Sequence, residues 1–509
     1  MLCGSREMPV FAETSKDIAE TSYLTVPVEK EYVYRTFQLT EDPYSRYQWA
    51  LQNLGNIKYH DLLPSGYWGR TVYAKEGIDI DLEEGLSYFK EKGANREIIV
   101  AIIDTGVDTK QEDLQGHLWK NELEEADGKD SDGNGLKDDL YGWNFYDNSP
   151  VLCDYDAYSE EYEEYEDDHG THCAGTIIAT SNNHIGVAGI ADSANVKILP
   201  IKALGGEDGE EAGEGYTSSI VQAIQYAEQM GAQICNLSFG GDSDDPVLRE
   251  VMEQSDMLFV CAAGNDGRNI DSKPAYPAAY ELPNVISVAN LNGDGTLAAS
   301  SNYGTTHVDL AAPGSNIVST LVGDRYGMKT GTSMAAPMVT GAAALLYSFH
   351  DSMNAEDAKE LLLQSVTPLE QLKGKVKTGG MLNVNQLLHT DYEGTTDMGA
   401  PKIQLEQKKG TSTKKRTLSI QIKGKRGLED VRIVKGDVQL EEFQNTSLGT
   451  KLKNTSSQVT SLTAEGVYTV YARDRAGMEQ VETIQVTMPS ATQVKVANHP
   501  SKIALLKEN

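Results

Sequence analysis

Between residues 82 and 263 helical and strand-like segments alternate, and this alternation limits the possible architectures more than any other feature of the chain. A helical pattern near Leu82–Lys92 precedes Ile98–Ile103, a run apolar at every position that ends on Asp104. A strand that is apolar on both faces must be covered on both, as the strands of a parallel sheet are. A small-residue helix from Gly170, a strand over Val196–Ala203, a helix over Ser218–Met230 and strands over Ile234–Ser238 and Leu258–Ala263 follow. The expected fold class is α/β: a mainly parallel sheet between two helical layers, with reactive side chains at strand ends and at the helix starts that follow.

Three segments place reactive residues at such positions. IIDTGVD carries Asp104 at a strand end; HGTHCAG opens a helix with His169; GTSMAAP puts Ser333 at the start of an alanine-rich helix that continues to Leu346. A helix N-terminus presents unpaired N–H groups and the positive end of the dipole, so an anion forming beside Ser333 meets donors already in position. Taken singly, Asp104 reads as a turn former, His169 as a loop histidine and Ser333 as a helix cap. Taken together, Asp, His and Ser make a charge-oriented general base and its nucleophile.

These three motifs, in the order Asp, His, Ser, resemble those of the subtilisin-like serine proteases. The resemblance runs from about Asp42, in DPYSRYQWALQN, to about His389, after GGMLNVNQLL. It implies a subtilisin-like three-layer fold and a peptide-bond hydrolase in which Asp104 orients His169, His169 is the general base and Ser333 the nucleophile. FVCAAGND resembles the family's oxyanion segment, which makes Asn265 a donor to the tetrahedral intermediate. NLSFGG resembles the strand that pairs with an extended substrate, which assigns substrate contact to Ser238, Phe239, Gly240 and Gly241. Cys173 resembles the cysteine beneath the active site in the thiol-dependent branch.

The chain carries a formal charge of −32, concentrated outside residues 401–489, which are net basic. Nucleic acid is an improbable partner for such a surface. Two acidic stretches, Asp154–Asp168 and Gly205–Tyr216, match segments that border the unprimed subsites of the family. They predict a polypeptide substrate with basic residues near the cut, with Asp168 and Asp266 contributing to the preference.

Calcium is the expected cofactor, in a structural role. In DSDGNGLKDD the residues Asp130, Asp132 and Asn134 alternate as in a calcium loop, with Gly135 at the turn and Asp138 or Asp139 following. Tyr141 stands where a bidentate Glu would close such a loop. The resemblance implies a second site, formed by Asp42, Asp113 and Asn183.

No segment approaches the ~20 apolar residues that span a bilayer. Five cysteines, Cys3, Cys153, Cys173, Cys235 and Cys261, cannot all pair. PVFA near the N-terminus matches the tail of a signal peptide but lacks the charged and apolar regions before it. The expected location is secreted or cell envelope, with cytoplasmic as the alternative, and the expected state is a monomer. The chain divides into an N-terminal extension (1–40), a catalytic domain (41–390), a linker (391–402), a β-sandwich of alternating strands (403–489) similar to immunoglobulin-like or fibronectin-type modules, and a tail (490–509). Two other readings compete: a noncatalytic scaffold that binds through its acidic loops, and a processing protease that cuts one partner.

Overall fold

The computed structural model describes residues 6–7 and 40–487 except 94–95, 160–163, 206–212, 351–352, 391, 393–399, 409–415, 424–427, 445, 453–456 and 475–477. The acidic stretch at 206–212, most of the linker, nearly all of the N-terminal extension and the tail therefore lie outside the described residues. The chain forms two compact units, residues 1–394 and 395–509.

The first unit is built on a nine-stranded sheet. Six of its strands are β1 (Ile98–Asp104), β2 (Val196–Lys202), β3 (Ile234–Leu237), β4 (Leu258–Ala262), β5 (Val285–Leu291) and β6 (Leu310–Pro313). They run parallel in the order β6-β5-β4-β3-β1-β2. Among the described residues of this sheet, one edge pair, Thr367–Pro368 on Gly380–Met381, is antiparallel. Each strand divides its side chains between two cores. Ile98, Val100 and Ile102 of β1 join the cluster that surrounds a long helix, whereas Ala101 and Ile103 join the cluster on the opposite face. This two-sided burial is what a strand apolar at every position requires.

Seven α-helices of this unit lie among the described residues, and five of them frame the site: α1 (Leu82–Lys92), α2 (Asp168–Ile178), α3 (Thr217–Gln229), α4 (Pro246–Gln254) and α5 (Thr332–Phe349). Helix α5 is buried from Thr332 to Ser348. Its alanines and glycine let the sheet approach closely, and its uniform apolarity reflects enclosure by protein on all sides. No helix among the described residues is long and apolar enough to cross a membrane.

Two antiparallel strands, β7 (Ile317–Leu321) and β8 (Arg325–Lys329), deliver the chain to α5. Arg6–Glu7 adds to the outer edge of β8, opposite Met328 and Gly327.

The second unit contains antiparallel sheets of three and four strands. Leu418 and Ile420 of one sheet and Val431 and Val470 of the other share a single buried cluster. Their alternation of inward apolar and outward polar residues is the period-two pattern of strands exposed on one face.

Candidate active site

Asp104 closes β1, and its side chain is fully buried. One oxygen, Oδ1, accepts from Thr105 N at 2.7 Å and lies 2.7 Å from His169 Nδ1. The other, Oδ2, is buried without a hydrogen-bond partner among the described residues. With Asp104 ionised the bond to His169 requires Nδ1–H, which leaves Nε2 as the basic nitrogen. Helix α2 starts at Asp168, two residues before the sequence pattern suggests, so His169 lies in its first turn. Gly170 makes the approach possible: a Cβ there would lie 2.1 Å from the Gly106 carbonyl oxygen, in the loop that follows Asp104.

Ser333 is the second residue of α5 and is 8% exposed. Pro337, four residues on, has no N–H to give to the Ser333 carbonyl. That carbonyl instead accepts from Ser238 Oγ at 3.0 Å and from Cys173 Sγ at 3.5 Å. The proline of GTSMAAP thus frees an acceptor through which the end of β3 and helix α2 hold the start of α5. The Ser333 hydroxyl donates to the Ser238 carbonyl at 3.0 Å, so it must turn away from β3 before its proton can reach the imidazole.

Asn265 lies in the loop after β4. Its Oδ1 accepts from Thr332 N at 2.9 Å and from Thr332 Oγ1 at 3.2 Å. These bonds fix the amide and reserve Nδ2 for an acceptor beside the N-terminus of α5.

The residues expected to contact substrate divide. Ser238 and Phe239 follow β3 directly, and Gly240 is exposed. Gly241 is committed elsewhere, because its N–H and carbonyl both pair with Tyr276 at 2.8 Å. A strand added at this edge would therefore meet Gly241 with its backbone groups already paired. Asp168 also corrects the sequence expectation: it is fully buried, with Oδ1 accepting from Val322 N and Oδ2 from Tyr165 N and Arg325 Nη2. In the first turn of α2 its side chain turns toward β7 and β8 instead of the rim. Asp266 keeps a 45% exposed side chain beside Asn265, where it pairs with Arg268 at 3.6 Å.

Of the two candidate calcium sites, the second brings together residues other than those the sequence pattern suggests. Asp42 accepts from Asn182 N and His184 N, while Asp113 accepts from Asn183 Nδ2 and Val187 N, so Asp42, Asp113 and Asn183 meet at one loop. Burial and then the neighbouring Asp42 push the Asp113 carboxyl up to about 7. At the second site, carboxylate oxygens of Glu124, Asp130 and Asp132 lie within 4.8 Å of one another. Glu124 is 4% exposed, and its Oε2 is buried without a hydrogen-bond partner among the described residues. Sequence reasoning missed Glu124 because the loop pattern directs the search downstream, whereas this carboxylate stands six residues before Asp130. Asp139 is not one of the three: its oxygens accept from Tyr226 Oη, Asn134 Nδ2 and Asn121 Nδ2. Asn134 in turn donates to Asp132. Clustered hard oxygens with an orphaned buried carboxylate oxygen fit calcium.

The subtilase family model matches residues 95–391. The chain is 36% identical over 312 residues to the major intracellular serine protease of Bacillus subtilis (strain 168), covering 58% of this chain and 85% of that protein. It is 39% identical over 252 residues to the thermophilic serine proteinase of Bacillus sp. (strain AK1), covering 49% of this chain and about half of that protein (52%). It is 34% identical over 297 residues to an intracellular serine protease of Paenibacillus polymyxa, covering 56% of this chain and 79% of that protein.

Proposed function

Since the chain belongs to the subtilase family and is a serine endopeptidase, we propose that it hydrolyses peptide bonds through Asp104, His169 and Ser333. His169 Nε2 takes the Ser333 Oγ proton as the oxygen attacks the scissile carbonyl, and Asp104 stabilises the imidazolium that forms. The oxyanion accepts from Asn265 Nδ2 and the Ser333 N–H. Nε2 then returns its proton to the leaving amine, and water repeats the sequence to release the acyl group. The observation that carries this reading is the 2.7 Å contact of His169 Nδ1 with a fully buried Asp104. Casein hydrolysis tests it: wild type should cleave, and Ser333→Ala should lose at least ~10³-fold in rate. Equal hydrolysis by the variant would refute the assignment.

Substrate lies along Ser238–Gly240 in this reading. A preference for basic residues near the cut rests chiefly on Asp266, and matched peptides with Arg, Glu or Leu at unprimed positions decide it. Calcium held by Asp42, Asp113 and loop oxygens, and by Glu124, Asp130 and Asp132, would supply local charge balance and rigidity without touching the reacting atoms. The C-terminal sheets form an immunoglobulin-like module that supports the catalytic unit or presents it to substrate. We place the enzyme in the cytoplasm, because two relatives are named as intracellular.

A further inference from the structure

The acidic run that ends at His169, Glu164 to Asp168, is engaged inward. Four of its carboxylates meet three cations, and those cations come from the strand beside the one that carries Asp104 and from the strand that leads to Ser333. Lys202, at the end of β2, stands directly opposite Asp104 in the parallel register. Its ammonium donates to the Thr105 carbonyl at 2.5 Å, to Glu166 Oε1 at 2.5 Å and to Asp167 Oδ1 at 2.7 Å, which uses all three N–H groups. The Lys202 side chain is 5% exposed and that of Asp167 0%. One buried charge thus ties the residue after Asp104 to the two residues that precede α2.

On the other side, Lys329 Nζ meets Glu164 Oε2 at 2.6 Å, with side chains 2% and 11% exposed. Arg325 reaches Asp168 at 2.8 Å and lies over the Tyr165 ring, 4.9 Å from its centroid. Both cations belong to β8, whose last residue is four positions before Ser333. Desolvation makes buried ion pairs poor sources of stability compared with apolar side chains of the same volume. What such pairs supply is geometric registry, since each fixes two backbone segments to a fraction of an ångström.

We propose that Lys202 and the Lys329–Glu164 pair are positioning residues for the hydrolysis: together they hold His169 in register with Asp104 on one side and with Ser333 on the other. The inference rests on the triad reading above and goes beyond it. It also gives the acidic run a task other than binding basic substrates. Neither lysine touches the reacting atoms; each acts through the segment that carries one.

The test uses charge-compensated variants, because a lysine removed alone leaves carboxylates buried and unpaired. One is Lys202→Met/Glu166→Gln/Asp167→Asn and the other Lys329→Met/Glu164→Gln. A third, Glu164→Lys/Lys329→Glu, exchanges the charges and is compared with each of its single changes. The full chain is assayed on a short chromogenic peptide and with a fluorophosphonate, below each variant's melting midpoint and per natively folded molecule. Misplacement by about 1 Å costs on the order of 10² in rate. The two compensated variants should therefore melt cooperatively while kcat and the labelling rate fall about 10- to 100-fold, with KM within about threefold of wild type. The exchanged pair should exceed both of its single changes in kcat.

Compensated variants that keep wild-type kcat would overturn the proposal, as would a loss carried by KM alone or an exchanged pair no better than its singles. If a compensated variant does not fold, the exchanged pair and its singles decide. Wild type that fails to react with the fluorophosphonate would overturn the serine-protease reading itself, a result distinct from failure of the positioning role.

Discussion

Gly170→Ala tests the packing that brings base and carboxylate together. A Cβ at this position would meet the Gly106 carbonyl oxygen at 2.1 Å and the Asp104 Cβ at 3.2 Å. Van der Waals contact begins near 3 Å even for the closest real pairs, so α2 and the loop after Asp104 must separate by about 1 Å. The carbonyl is backbone in a loop held by Lys202, and no flexible side chain can give way in its place. Overpacking of this kind costs about 1–3 kcal/mol of stability. The same displacement stretches the 2.7 Å His169–Asp104 contact beyond hydrogen-bond range, and misplacement of that size costs roughly 10² in kcat. The assay is kcat/KM on a chromogenic peptide at a temperature well below the melting midpoint, with thermal unfolding followed in parallel. A variant within threefold of wild-type kcat/KM would refute the claim that this glycine sets the approach of His169 to Asp104.

Asn265→Ala should lower kcat by ~10²–10³ and leave KM nearly unchanged if, as proposed, the amide donates only to the developing oxyanion; steady-state kinetics on a short peptide check this. His172 gives stability a pH dependence. Burial, and then the nearby Lys329, hold its pKa at about 3. The unfolded chain, with its histidine near 6.5, binds one more proton between those values, so stability falls as pH drops through that window by about 1.4 kcal/mol per unit from this residue. His172→Gln should flatten the pH dependence of unfolding free energy by one proton there, and an unchanged slope would count against it. Chelation should lower the melting temperature by roughly 5 °C if calcium was present at 100 times Kd, since each site then contributes ~2.7 kcal/mol. Glu124→Gln should remove part of that shift and leave peptide kinetics at saturating calcium unaltered.

The sheet and the ends of its strands were legible because burial on both faces leaves no polar position in β1 before Asp104, and a run such as IIVAIID admits few other structures. Ser333, His169 and Asn265 stand in short motifs whose small residues serve close approach, as the Cβ that Gly170 lacks shows. The partners of the acidic run were not. Glu164 and Lys329 are separated by 165 residues, and Asp168 and Arg325 by 157, so only the folded chain reveals that a stretch resembling a solvated rim is neutralised from within. The backbone pairing of Gly241 with Tyr276 was hidden for a related reason: it depends on a loop that carries no signal at Gly241 itself. Glu124 lies outside the spacing that makes DSDGNG recognisable, and its role emerges only from the proximity of its oxygens to Asp130 and Asp132.

Mapping the covalent adduct of a fluorophosphonate by mass spectrometry tests the central claim most directly. The account predicts one modified peptide with the phosphonyl group on Ser333, formed rapidly by wild type and slowed at least ~10³-fold in His169→Ala. An adduct on another residue, or equal labelling when His169 is replaced, would contradict it.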